Sequence, residues 1–189
     1  RWKGWLRGLV MLPLVLPPVV TGYLLLLAFG RSSWFGGLWF EWTGYHIAYT
    51  QGAAVLAAAV VGFPLLVESV RLAMVQSDPA LENMSRSLGH SRWSTFRRIT
   101  LPLAMPGILA GSVLTFARAL GEFGATIILA GNIEGETRQI PLAVYTLLNQ
   151  PGEEMAVLRL GLVSVALALL SLWGSAWLRN RQERGFGTS

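Results

Sequence analysis

Long apolar runs alternate with short polar ones along this chain. Residues 8–29, 48–75, 103–130 and 155–178 are predominantly apolar. At about 1.5 Å rise per residue, each is long enough as a helix to cross a ~30 Å hydrocarbon core. The pattern therefore predicts four transmembrane spans. Pro13, Pro17 and Pro18 interrupt the first. Proline removes backbone hydrogen bonds, which lipid tolerates only where other helices or water satisfy the freed carbonyls. A kinked, interior helix is expected there, with Thr21 and Gly22 after the kink. The run AAVLAAAVVG in the second segment, and Gly107 and Gly111 with Ala104 and Ser112 in the third, supply small residues that let helices approach closely. Arg31 to Tyr45 reads as a Gly- and Trp-rich loop, with Trp34, Trp39 and Trp42 at headgroup level. Residues 131–154 are polar except for Ile140 to Leu148. That piece is too short to span, so it is interfacial, re-entrant or packed on the bundle.

One long polar, basic run breaks the apolar pattern: DPALENMSRSLGHSRWSTFRRITLP, from Asp78 to Pro102. Asp78 suits an N-cap, and Pro79 the first helical position. Leu81, Ser85 and Leu88 share one face with Met84 beside them, and Gly89 fits the left-handed residue that ends a helix. Ser91 can cap a second helix carrying Trp93, Phe96 and Ile99 among Arg92, Arg97 and Arg98, with Pro102 opening the next span. Two short amphipathic helices of this kind suit docking into a partner; a basic loop on anionic lipid headgroups is the competing reading.

Composition narrows the class. The chain has 189 residues, 53% hydrophobic and 13% charged, and few soluble domains are this poor in charge. Without cysteine there is neither a disulfide nor a thiolate metal site. The net charge of +5 does not point to nucleic acid, because the basic residues sit at the ends of apolar spans. Arg1, Lys3 and Arg7, then Arg71, Arg86, Arg92, Arg97 and Arg98, then Arg179, Arg181 and Arg184 fall at one side of a four-span topology. Arg31 and Arg138 fall at the other, with Arg159 just inside the last span. The positive-inside rule then puts both ends and the central loop in the cytoplasm.

Little in the chain supports catalysis. Lys3 is the only lysine, and Trp2, Gly4 and Trp5 around it cannot make a phosphate-binding loop. If ATP drives this protein, another chain binds it. His46 and His90 are the only histidines, and neither stands in a metal or nucleophile motif. No enzyme activity and no cofactor on this chain are expected. Arg118 and Glu122 lie four residues apart, deep in the third segment. Charges at such depth usually face a partner or a wet cavity. Thr21, Arg118, Glu122 and Phe123 are accordingly the pore or gate candidates, against the alternative that Arg118 and Glu122 merely neutralise each other.

The polar run resembles the cytoplasmic loop of ABC importer permeases, whose pattern is E-A-A-x-x-x-G-x9-I-x-L-P. Gly89, Ile99, Leu101 and Pro102 match at that spacing; Asn83, Met84 and Ser85 occupy the first three positions, with Glu82 one position early. Two further stretches, LPLVLPPVVTGYLLLLAFGR at 12–31 and FARALGEFGATIILAGNIEGETRQIPLAVYTLL at 116–148, are similar to molybdate-type ABC permeases. Sulfate permeases resemble the region of Gly121, Glu122, Phe123 and Gly124 as well. The resemblance implies an all-α, polytopic bundle of the type I ABC importer permease kind, forming one transmembrane domain over 1–189. In it, 78–102 is a cytoplasmic coupling loop and 131–154 a periplasmic segment. Family members carry an additional N-terminal helix that this stretch of sequence does not supply. Implied partners are two copies of an ABC ATPase, a periplasmic oxyanion-binding protein, a second copy of the chain and membrane lipid, in a bacterial or archaeal inner membrane. The implied ATPase contacts are Glu82, Asn83, Arg86, Leu88, Gly89, Arg92, Trp93, Phe96 and Pro102. The implied cargo is a tetrahedral oxyanion, molybdate first, with sulfate or tungstate as alternatives. A secondary transporter is the rival mechanism, but no convincing internal repeat supports it.

Overall fold

The computed structural model describes residues 2–76 and 78–186, with side chains for these except Lys3, Gln76 and 175–186. Arg1 and the side chains of Lys3, Arg179, Arg181 and Arg184, which entered the charge reading, lie outside the described residues. Every regular element among the described residues is helical: α1 (Trp2–Val15), α2 (Pro18–Phe29), α3 (Trp34–Thr43), α4 (Gln51–Gln76), α5 (Pro79–Ser87), α6 (Arg92–Thr95), a π-turn (Phe96–Thr100), α7 (Leu101–Leu120), α8 (Gly124–Leu129), α9 (Ile140–Leu148) and α10 (Glu154–Phe186). Three stretches are long and apolar enough to cross a membrane: Gln51–Val75, Arg92–Leu120 and Glu154–Gly174. A fourth exists if the bent pair Gly4–Val15 and Pro18–Phe29 counts as one span.

The chain divides into two compact units, Arg1–Pro64 with Phe116–Leu169, and Leu65–Thr115 with Leu170–Ser189. The first has a core of small residues. Ala48, Ala53, Ala54, Ala57 and Val61 pack with Ala125, Leu129 and Ala130. Short side chains bring backbones close, the role expected for the alanine-rich run of α4. In the second unit, Gly107 lies against Ala73 and Ser69, and a Cβ added to Gly111 would lie 2.8 Å from that of Ser69. α4 and α7 thus pack through the glycines that the sequence picked out.

Four boundaries differ from expectation. Residues 8–29 do not form one kinked helix; α1 and α2 are bent by 117° at Leu16 and Pro17. Pro18 disfavours a helical residue before it, and Pro17 is extended at φ −53°, ψ 133°, so the chain turns there. The Trp-rich segment is not a loop but α3. Ser33 Oγ accepts from Gly36 N at 2.9 Å, and Gly44 closes the helix at φ +74°. These two caps offset the cost, about 1 kcal/mol each, of Gly36 and Gly37 inside it. The segment 103–130 is interrupted between Leu120 and Gly124, where Glu122 turns back onto the start of α8. Lastly, Pro102 does not open a separate span. The chain is helical from Arg92 through the π-turn to Leu120. Pro102 has no N–H, and its ring would clash with the carbonyl four residues back in an α-helix. The wider turn, in which Leu101 N bonds Phe96 O, relieves that clash.

Candidate functional site

The Asp78–Pro102 hairpin begins as its residue types dictate. Asp78 Oδ1 accepts from Ala80 N at 2.8 Å, and Pro79 takes the first helical position, where no N–H is needed. Gly89 stands at φ +83°, a backbone that a side-chain-bearing residue rarely adopts, and its N–H bonds Arg86 O at 3.0 Å. Ser91 Oγ then caps α6 through Ser94 N at 3.2 Å. One side of the hairpin is polar and internal: Ser85 Oγ and Thr95 Oγ1 are 3.0 Å apart and buried, and Thr100 Oγ1 donates to Glu82 Oε1 at 2.7 Å. The other side is apolar and open. Leu88 is 74% exposed, Trp93 70% and Met84 60%, and Trp93 stacks on half-buried Phe96 with ring centres 5.6 Å apart. Asn83, Arg86 and Arg92 are exposed around them. A short helical hairpin that offers aromatic and aliphatic side chains ringed by arginine has the make-up of a docking element.

The second cluster lies in the other unit, at the interruption between α7 and α8. Arg118 and Glu122 form an ion pair at 2.8 Å; the Glu122 side chain is 1% exposed and that of Arg118 33%. Glu122 Oε1 also accepts from Ala125 N at 2.9 Å, so its carboxylate holds the first turn of α8. α8 packs on α2 almost backbone to backbone. A Cβ on Gly22 would meet the Ala125 Cα and carbonyl oxygen at 2.7 Å, and one on Gly124 would lie 2.8 Å from Pro18 Cβ. Thr21, beside Gly22, is buried and its hydroxyl has no hydrogen-bond partner among the described residues. Phe123 is half-buried with its ring edge-on to Tyr145 at 5.3 Å. Thr21, Arg118, Glu122 and Phe123 therefore all belong to this α2–α8 neighbourhood. Among the described residues no group of three or more His, Asp or Glu could hold a metal.

Across residues 1–184 the chain matches the family model described as binding-protein-dependent transport system inner membrane component. The chain belongs to that family. The molybdenum transport system permease protein ModB of Escherichia coli strain K12 is 53% identical over 183 residues, covering 96% of this chain and 80% of that protein. ModB of Haemophilus influenzae is 49% identical over 185 residues, covering 98% and 81%. A sulfate permease from the chloroplast of Chlamydomonas reinhardtii is 37% identical over 181 residues, covering 96% and 47%. As an inner-membrane component of such a system, with several apolar helices, this is a multi-pass membrane protein.

For such a component, two features of the hairpin escaped sequence reading. Glu82, one position early against the family pattern, accepts from Thr100, and Ser85, at a small-residue position of that pattern, is buried against Thr95. The spacing that could have shown this is Glu82 and Ser85, three residues apart on α5. A third network, in residues 131–154, was also missed. Arg138 Nε donates to Asn132 Oδ1 at 3.0 Å and NH1 pairs with Glu134 at 3.2 Å, while Asn132 Nδ2 donates to Thr146 Oγ1 on α9 at 2.8 Å. His46 stacks on Phe40 with ring centres 4.2 Å apart, and its buried Nδ1 has no hydrogen-bond partner among the described residues.

Proposed function

We propose that this chain is the permease subunit of an ATP-driven importer that carries molybdate into the cytoplasm. The observation that carries the reading is its identity of about half with ModB of Escherichia coli over nearly its whole length. Two copies pair in the membrane, both ends of each chain face the cytoplasm, and two ATPase subunits each receive one Asp78–Pro102 hairpin. Leu88, Trp93 and Phe96 are the apolar anchors; Asn83, Arg86 and Arg92 make the polar rim, Glu82 turns inward onto Thr100, and Gly89 and Pro102 shape the hairpin. ATP binding draws the ATPases together, moves the hairpins and opens the pore outward, where a periplasmic binding protein delivers the anion. Hydrolysis resets it. Neither ATP nor a cofactor is bound by this chain. Thr21, Arg118, Glu122 and Phe123 border the pore, and the tight packing of α2 on α8 supports treating them as one group.

Sulfate is the second reading, supported by the 37% identity to the chloroplast sulfate permease. Reconstitution with the ATPase and binding protein in vesicles decides between them. The expected result is ATP-dependent uptake of molybdate, with tungstate competing and sulfate at least tenfold less effective. Sulfate uptake unaffected by excess molybdate would replace the substrate, and uptake without ATP would replace the mechanism with a secondary transporter.

A further inference from the structure

The π-turn at Phe96–Thr100 has a consequence for how the hairpin is held. In an α-helix, residues five apart point roughly 140° away from one another. In a turn closed by i to i+5 bonds they come back over one another. Thr95 immediately precedes the π-turn and Thr100 ends it. Both side chains reach the same neighbour, α5, where Glu82 and Ser85 lie three apart on one face. Thr100 meets Glu82 at 2.7 Å and Thr95 meets Ser85 at 3.0 Å, an antiparallel pairing across the hairpin. Pro102, two residues beyond, supports the wide turn because an α-helical register would drive its ring into the Arg98 carbonyl.

We propose that Glu82, Ser85, Thr95 and Thr100 are positioning residues, a two-point clamp made possible by the π-turn, that joins α5 rigidly to the start of α7. This rests on the permease reading above. The clamp makes the docking helix and the cytoplasmic end of α7 one lever, so displacement of α5 by an ATPase displaces α7 without slack. The exposed Leu88 and Trp93 do the docking, whereas the internal hydroxyls and the Glu82 carboxylate carry the load.

The chain has no cysteine, so a Ser85→Cys/Thr95→Cys pair gives a clean cross-link. It is tested in the full complex, in vesicles with the ATPase and binding protein, before and after oxidation. The expected result is that cross-linked complex keeps more than half of the uptake of the reduced form, because the clamp never opens. Uptake lost tenfold or more on oxidation, restored by reduction, overturns the proposal, since it means that α5 and α6 part during transport. The second arm reads ATP hydrolysed per anion moved. Thr100→Val and Pro102→Ala are each expected to raise that ratio at least threefold, while Thr100→Ser, which keeps the hydroxyl, leaves it within a factor of 1.5. An unchanged ratio in Thr100→Val, with ATPase co-purifying as for wild type, also overturns the clamp. Failure of the permease reading shows separately, as wild-type vesicles that take up no anion with ATP.

Discussion

Glu122 is the residue on which two kinds of interaction converge. Its carboxylate neutralises Arg118 and accepts from the Ala125 amide while almost wholly buried. Removing one partner of a buried ion pair typically costs about 3–5 kcal/mol, because the other charge is left uncompensated. Arg118 is a third exposed, so solvent screening puts the cost here at the lower end, about 3 kcal/mol. Glu122→Ala is expected to lower the thermal unfolding midpoint in detergent more than Glu122→Gln, which keeps an acceptor for Ala125. Neutralising both partners, in Arg118→Met/Glu122→Gln, should recover part of the loss. Equal midpoints for all three variants would remove the ion pair from any account of this site. The pair itself was legible in the sequence from the i, i+4 spacing and its depth. The bond to Ala125 was not, because it exists only where α7 stops and α8 restarts.

At the scale of elements, the hairpin shows how local chemistry and long-range packing divide the work. Its Asp78 and Ser91 caps and the left-handed Gly89 are local, and each can be read from residue type alone. Gly89 has open space where a Cβ would go, so a substitution there acts through the backbone rather than through a clash. Gly89→Val is expected to re-aim α5 against α6 and cut ATPase stimulation by the binding protein at least fivefold, with the permease still folded and dimeric. Wild-type stimulation in that variant would count against the hairpin as the coupling element. The π-turn, by contrast, was invisible in the sequence. Pro102 signals only that an α-helical bond is missing; whether the chain then breaks or widens depends on the Thr95 and Thr100 partners on α5. α3 differs for the opposite, local reason: its glycines and tryptophans suggest a loop, whereas the Ser33 and Gly44 caps at its ends make it a helix.

For the molecule as a whole, the orientation proposed for the helices across the membrane rests on the charge pattern of the sequence. Exposed apolar residues such as Leu158 and Leu162 on α10 and Trp34 and Trp42 on α3 need lipid or another apolar surface against them. The positive-inside rule is the ground for placing the hairpin on the cytoplasmic side in that proposal. A single cysteine at Ser91 is expected to react with a membrane-impermeant maleimide only in permeabilised cells, and one at Glu134, 83% exposed, in intact cells. The reverse labelling would invert the topology and, with it, the access of any cytoplasmic ATPase to the hairpin.

The sequence by itself determined what depends on composition and near neighbours: an all-helical membrane protein, its apolar segments, the helix caps, the short α9 and the polar hairpin between long helices. These follow from hydropathy, from period and from residue-specific backbone preference, all of which act over a few positions. Only the tertiary structure decided where apolar segments break and which polar groups meet. The seating of Gly22 on Ala125 and the grip of α5 on both ends of the π-turn join residues from 10 to about 100 positions apart. A broken segment and a continuous one have nearly the same hydropathy, and the choice between them falls to the hydrogen bonds and close contacts that another part of the chain supplies.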